Sequence, residues 1–195
     1  MSRLDKVDPK NWSAELRDRV NPDQLTELEQ GLTRYWARRP DLLEGLHAFA
    51  GGLKLNRTLP ERLVELMRLR IAFFNQCRSC MAIRYTDAVD DGLTEDLVCS
   101  LERPAEAENL SAAEKAAVRY GELMATDHLS ADDAIYAELK AHFSQEQIVE
   151  LGMLAAFFVG FGRLAATYHM VEELPAAFQQ SDPIAPWGNE AVVVK

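Results

Sequence analysis

The chain has 195 residues, 48% hydrophobic and 27% charged, and a formal net charge of −10. That length fits one domain with a sizeable core, and the acidic balance leaves no basic footprint for nucleic acid or an anionic membrane surface. The longest apolar run, Leu151 to Gly162, is twelve residues, short of the roughly 20 that cross a bilayer. The N-terminus, with Asp5, Lys6 and Asp8, does not read as a secretory signal. Three cysteines, an odd number, argue against a secreted disulfide scaffold, so a cytoplasmic chain is expected.

Taken in order, residues 1–20 are charged and mixed around Trp12, an arm that docks on a domain spanning 1–195. Asn21, Pro22 and Asp23 cap a first helix whose Leu25, Leu28, Leu32, Tyr35 and Trp36 recur at helical spacing to about Ala37. Pro40 and Asp41 open a second, stopped by Gly51 and Gly52. Pro60 and Glu61 open a third, apolar nearly all round from Leu63 to Phe74 and therefore central in a bundle. Asn75 and Gln76 predict a break, and a fourth helix runs from Cys77 to about Val89. Thr94 caps a short fifth, and Glu102 to Asn109 reads as a linker. Capping boxes at Ser111/Glu114 and Ser144/Gln147, with Ser130 and Asp132 between them, predict helices over 112–126, 131–142 and 145–171. The tail, 175–195, with Pro183, Pro186, Trp187 and Val192 to Val194, is expected to lie across this subunit or a neighbour. No sustained two-residue alternation occurs, so the fold class is all-α.

A shift of 85 residues places Glu61, Val64, Glu65, Leu66, Leu69, Phe73 and Arg78 opposite Glu146, Val149, Glu150, Leu151, Leu154, Phe158 and Arg163. These identities predict a duplicated helix pair. Cys77 and Cys80 fall opposite Gly162 and Ala165, so only the first copy carries thiols.

Cys77 and Cys80 form a C-x-x-C, close enough to join as a disulfide within one turn. A helix starting near Cys77 would stabilise a thiolate in its first turn, and Cys80 with Arg84 would be an i,i+4 pair on one face. Cys80 is then the better nucleophile, with Arg78 and Arg84 as nearby cations and Cys77 able to resolve a sulfenic acid. Glu65, on an apolar helix, is the candidate proton acceptor with an expected raised pKa; the alternative is a plain buried ion pair with Arg68 or with an arginine elsewhere. Zinc needs about four ligands, and neither a second C-x-x-C nor a close histidine pair exists, so no metal or other cofactor is expected. His47, His128, His142 and His169 are scattered, Cys99 reads as a small buried hydrophobe, and Phe157, Phe158 and Phe161 read as core or subunit interface.

The run Leu59, Pro60, Glu61, Glu65, Leu66, Leu69, Arg70, Ala72, Asn75, Cys77, Cys80 resembles the alkylhydroperoxidase D and carboxymuconolactone decarboxylase superfamily, in particular its peroxidase-related members, over residues 35–170. The resemblance implies an all-α fold with a pseudo-repeat, assembly as a trimer or hexamer, and antioxidant oxidoreductase chemistry. By motif position it implies Cys80 as peroxidatic cysteine, Cys77 as resolving cysteine and Glu65 as proton acceptor. Where the family's proton relay places a histidine, this chain has Arg84, which holds an anion but does not shuttle protons near neutral pH; the repeat shift offers His169 as a substitute.

Three functions follow. The first is a cofactor-free peroxidase or disulfide reductase taking a small hydroperoxide or disulfide and a thiol reductant. The second is a lactone enzyme of the decarboxylase branch, with Arg70, Arg78 and Arg84 as anion-binding groups. The third is a non-catalytic, redox-sensing oligomer.

Overall fold

The computed structural model describes residues 1–180 and 184–195, so Pro183 of the tail lies outside the described residues. Ser13 caps α1 (Ala14–Val20) by accepting the Leu16 N–H. The first long helix expected is instead broken. Thr26 and Glu29 form a capping box on α2 (Glu27–Gln30), and Gly31, at φ 47° and ψ −131°, turns the chain into α3 (Thr33–Trp36). That backbone conformation is open to glycine and costly for other residues. The opposite correction applies to α4 (Pro40–Leu55), which runs through Gly51 and Gly52. Helix glycines cost only about 1 kcal/mol each relative to alanine, so flanking turns carry the helix past them.

The central helix, α5 (Glu61–Asn75), ends where Gln76 adopts the left-handed conformation at φ 49°. The single helix expected over 77–89 divides into α6 (Arg78–Ala82), a strand β1 (Ile83–Tyr85) and α7 (Thr86–Asp90). Thr94 caps α8 (Glu95–Cys99). The two predicted capping boxes open α9 (Ala112–Thr126) and α11 (Gln145–Tyr168), and Asp132 caps α10 (Asp133–Lys140) between them. After α12 (Ala176–Gln179) the tail ends in β2 (Val192–Val194), which pairs in parallel with β1, Ile83 opposite Val192 and Tyr85 opposite Val194. The fold is all-α apart from this short ribbon, and the tail lies across its own chain.

α5 contributes to three apolar clusters, which is why its sequence is hydrophobic around most of its circumference. Leu63, Met67 and Ile71 meet Ala117 and Tyr120 of α9 and Leu151 of α11. Leu66 and Leu69 meet Leu97, Val98 and Val118. Ala72 meets Met81, Val171 and Phe178. Leu66, Met67, Leu69 and Ile71 have 0% exposure, each contributing about 1.5–3 kcal/mol of burial.

The two halves of the internal echo are both helical and pack on each other, α5 against α11. They differ at the position of Cys77. There α5 has already stopped, whereas α11 continues through Gly162, whose missing side chain leaves room for Asn75. A Cβ at Gly162 would lie 2.5 Å from Asn75 Nδ2, which donates to the Phe158 carbonyl at 3.0 Å while Asn75 Oδ1 accepts from Arg163 Nε at 3.2 Å.

Residues 1–20 pack against the rest of the chain. Trp12, Leu16 and Leu43 form a small cluster, Arg3 N–H donates to the Tyr168 carbonyl, and Ser2 and Lys6 meet Glu172 and Glu173. Partial burial pulls the Glu172 carboxyl upward, but hydrogen bonds from the Ser2 hydroxyl and N–H and the nearby Lys6 hold it down at about 2.

Two measurements check this packing. Gly162→Ala should lower stability by about 1–3 kcal/mol through overpacking against Asn75; an unchanged urea midpoint would show that Asn75 has room to move. Because Glu172 is depressed from 4.5 to about 2 in the folded chain, its contribution is present above the ordinary carboxylate value and is lost as pH falls through the folded one. The Ser2 amide resonance should therefore titrate near pH 2, and a midpoint near 4.5 would contradict the contact.

Candidate functional site

The left-handed turn at Gln76 brings Cys77 back under the end of α5, where its N–H donates to the Ala72 carbonyl at 3.2 Å. Cys77 is the N-cap of α6, in extended conformation, and its carbonyl accepts the Met81 N–H at 2.9 Å. This is the helix start expected from the sequence. Cys77 and Cys80 are joined as a disulfide, with Cα atoms 5.2 Å apart. Their environments differ: Cys77 has no exposure, while Cys80 is half-buried.

Glu65, one turn into α5, is buried at 3% exposure. Arg68 donates to both of its oxygens, Nε to Oε2 at 2.6 Å and Nη2 to Oε1 at 2.7 Å. The same guanidinium donates to the Cys80 carbonyl at 2.6 Å and the Ile83 carbonyl at 3.1 Å, and it lies 5.1 Å from the Tyr85 ring centroid. Burial disfavours the Arg68 charge, but the facing Glu65 carboxylate, through both charge and hydrogen bonding, outweighs it and raises the pKa above its ordinary value. The ion pair weighed for Glu65 is thus formed, and it is tied to the main chain of the cysteine turn.

Arg84 is placed otherwise than expected. α6 ends at Ala82, so Cys80 and Arg84 do not share a helical face. Arg84, 1% exposed, donates to Glu95 at 2.9 and 3.1 Å, to the Met81 and Ile83 carbonyls, and to the Pro186 carbonyl at 2.7 Å. The physical reason is that β1 pairs with β2 and turns this side chain toward α8 and the tail. Arg70 is likewise held by Glu122 and the Leu101 carbonyl. Arg78 approaches the Phe178 carbonyl at 3.5 Å.

His169 ends α11 in the left-handed conformation and shares a small cleft with Gln76, Arg78 and Ser79 rather than with Arg84. Burial, with positive charges that include Arg78 and Arg3, lowers its pKa. Cys99, read as buried, is exposed on α8. Among the described residues no group of three or more His, Cys, Asp and Glu side chains could hold a metal ion.

Cys80 borders a cavity of about 280 Å³. Arg68, Ala72, Ile83 and Tyr85 line it beside the cysteine, and Phe157, Phe158 and Phe161 of α11 face them. The end of α2 and its turn into α3, residues 28–33, with Val194 and Lys195, complete the wall. The phenylalanines read as core or interface are therefore lining residues. Two participants were missed from the sequence. The tie from Arg68 to the Cys80 carbonyl follows from the i,i+3 spacing of Glu65 and Arg68 only once the turn geometry is known. The Val192 to Val194 run was visible, but not its partner.

The all-α fold is similar to that of AhpD-like proteins of known structure. An uncharacterized peroxidase-related protein with the alkylhydroperoxidase AhpD core, from Ralstonia eutropha JMP134, superposes with a TM-score of 0.70 at 18% identity, covering 91% of this chain and 94% of that one. ATU0492 from Agrobacterium tumefaciens, a protein of unknown function proposed for AhpD antioxidant defence, gives 0.60 at 22% identity over 73% of this chain and 96% of that one. Residues 40–123, which hold Glu65, Arg68, Cys77, Cys80 and Arg84, match the carboxymuconolactone decarboxylase family. Over that segment the chain is similar to the carboxymuconolactone decarboxylase family, and its fold is AhpD-like. The uncharacterized protein Rv2313c of Mycobacterium tuberculosis is 33% identical over 119 residues, 60% of this chain, and the match spans only 41% of that relative's length. The uncharacterized Escherichia coli protein YnjA is 26% identical over 144 residues, 73% of this chain and 77% of YnjA.

Removing one member of a buried ion pair typically costs about 3–5 kcal/mol, because the other charge is left uncompensated. Arg68→Met should show a loss of that size in chemical denaturation, and Glu65→Gln with Arg68→Met together a smaller one than the sum. Additive losses would show that the two side chains do not act as a pair.

Proposed function

We propose that this protein is a cofactor-free, thiol-dependent peroxidase or disulfide reductase acting through Cys77 and Cys80. The observation that carries the reading is the unequal setting of the pair: Cys80 borders an apolar cavity, whereas Cys77 is fully buried behind it. A substrate in the cavity meets Cys80 first, and Cys77 is placed to resolve whatever forms there.

The cycle starts from the dithiol. The Cys80 thiolate attacks one oxygen of a hydroperoxide, the O–O bond breaks, and the departing alkoxide takes up a proton as the alcohol, leaving Cys80 as a sulfenic acid. Cys77 then attacks the Cys80 sulfur; its proton and the hydroxyl leave together as water, and the disulfide seen in the structure results. A thiol reductant returns two electrons and two protons. With a small disulfide as substrate, the dithiol is the reductant and two substrate thiols are released.

Glu65 is the proton acceptor in this reading, supported by its connection through Arg68 to the Cys80 main chain. Arg84 has no part in the relay, since its donors are taken up by Glu95 and backbone carbonyls. Assembly with further copies of the chain is part of the proposal. It is supported by the apolar face of α11, where Val149 is 62% and Met153 46% exposed.

Cumene hydroperoxide consumption with dithiothreitol as reductant tests the chemistry. Cys80→Ser should fall to background with an unchanged circular dichroism spectrum, and Glu65→Gln should lose about 10²–10⁴-fold in kcat/KM as a general-base loss does. Equal consumption by Cys80→Ser and the parent protein would end the proposal.

A further inference from the structure

Residues 184–195 combine Ile184, Pro186, Trp187 and the Val192 to Val194 run, too little to fold by themselves, and they are held chiefly by residues that flank the cysteine pair. The Gln76 side chain, one residue before Cys77, donates to the Ile184 carbonyl and accepts the Ile184 N–H, both at 3.2 Å. Arg84 donates to the Pro186 carbonyl at 2.7 Å, and the Thr86 hydroxyl donates to the Val194 carbonyl at 2.9 Å. Between these anchors Ile83, Arg84 and Tyr85 pair with Val192, Val193 and Val194. The Trp187 ring lies 4.8 Å from that of Phe73. At the far side the Lys195 N–H donates to Glu29 Oε1 at 3.3 Å, joining the strap to α2, which also lines the cavity.

The cavity bordered by Cys80 takes Val194 and Lys195 into its lining, and Val194 is 6% exposed. We propose that residues 192–195 form a gate over Cys80, with Val194 as a specificity-determining residue and Arg84 as a positioning residue that holds the strap in place. The position where the superfamily's relay carries a histidine is used here to fasten a wall of the cavity. At about 280 Å³, lined by three phenylalanines, the gated space admits compact apolar molecules and excludes bulky ones. The reading of Cys80 as the peroxidatic residue gives the gate its purpose, but the gate is measurable without any turnover.

The test uses the reduced protein and two thiol reagents of different size, iodoacetamide and N-pyrenyl maleimide, with labelling at Cys80 quantified by mass spectrometry. Cys99, exposed on α8, serves as an internal reference. Val194→Ala opens the wall and should raise the pyrene-to-iodoacetamide ratio at Cys80 by about tenfold, the scale set by one or two methylenes in an apolar pocket. Val194→Trp fills it and should lower the ratio by a similar factor, and in both variants the ratio at Cys99 stays constant. Thr86→Val, which loses only the hydrogen bond to the Val194 carbonyl, should move the ratio in the direction of Val194→Ala. Ratios at Cys80 that change by less than about threefold in both Val194 variants, or that change equally at Cys99, overturn the gate. If the ratios move as expected while no variant and no parent protein consumes hydroperoxide, the gate stands and the peroxidase reading fails by itself.

Discussion

The Arg68 guanidinium is the joint between the core and the chemistry. It donates to both oxygens of Glu65 on its own helix and to the carbonyls of Cys80 and Ile83 beyond the turn. A buried ion pair is by itself weak evidence for stability, because desolvating two charges offsets much of their attraction. Here the pair also fixes geometry. α5 is immobilised by apolar burial on three sides, and Arg68 transfers that rigidity to residues 80 and 83, whose backbone carries the half-buried Cys80 sulfur and the start of β1. Arg68 thus adds a polar tie to the apolar packing of Met81 and Ala82 and to the Cys77 N–H bond that already hold the C-x-x-C against the core.

The internal echo shows how a duplicated helix pair is made unequal by a few residues. In the first copy Gln76 adopts a left-handed conformation and breaks the helix, so that Cys77 caps a new one. In the second copy the corresponding stretch stays helical through Gly162, and the bare backbone there receives Asn75 from the first. The continuous α11 then presents Phe157, Phe158 and Phe161 across the cavity from Cys80. One copy supplies the thiols and the other the apolar wall, a division of labour that the substitution of Cys77 and Cys80 by Gly162 and Ala165 already announces.

What was legible in the sequence was local. The capping boxes at Ser111 and Ser144, the break at Asn75 and Gln76, and the centrality of α5 rest on interactions within a few residues, and each appears in the structure. The helix limits at Gly31 and Gly51 were misjudged in opposite directions because glycine signals only permissiveness; the surrounding packing decides whether the chain turns. Arg84 was assigned to Cys80 on the premise of an unbroken helix. Its actual partners, Glu95 and Pro186, depend on a three-residue parallel pairing between segments over 100 residues apart, which leaves no periodicity to read. The cavity was invisible for the same reason, being assembled from α5, α6, α11, the α2–α3 turn and the tail.

The account places reactivity at one sulfur of three, and a trapping experiment addresses that directly. Cys77→Ser protein, reduced and then treated with one equivalent of cumene hydroperoxide in the presence of dimedone, should carry the sulfenic-acid adduct on Cys80, while Cys99 in the same molecules stays unlabelled. Adduct on Cys99 with none on Cys80, or no adduct on either, would contradict the assignment of Cys80 as the residue that meets substrate.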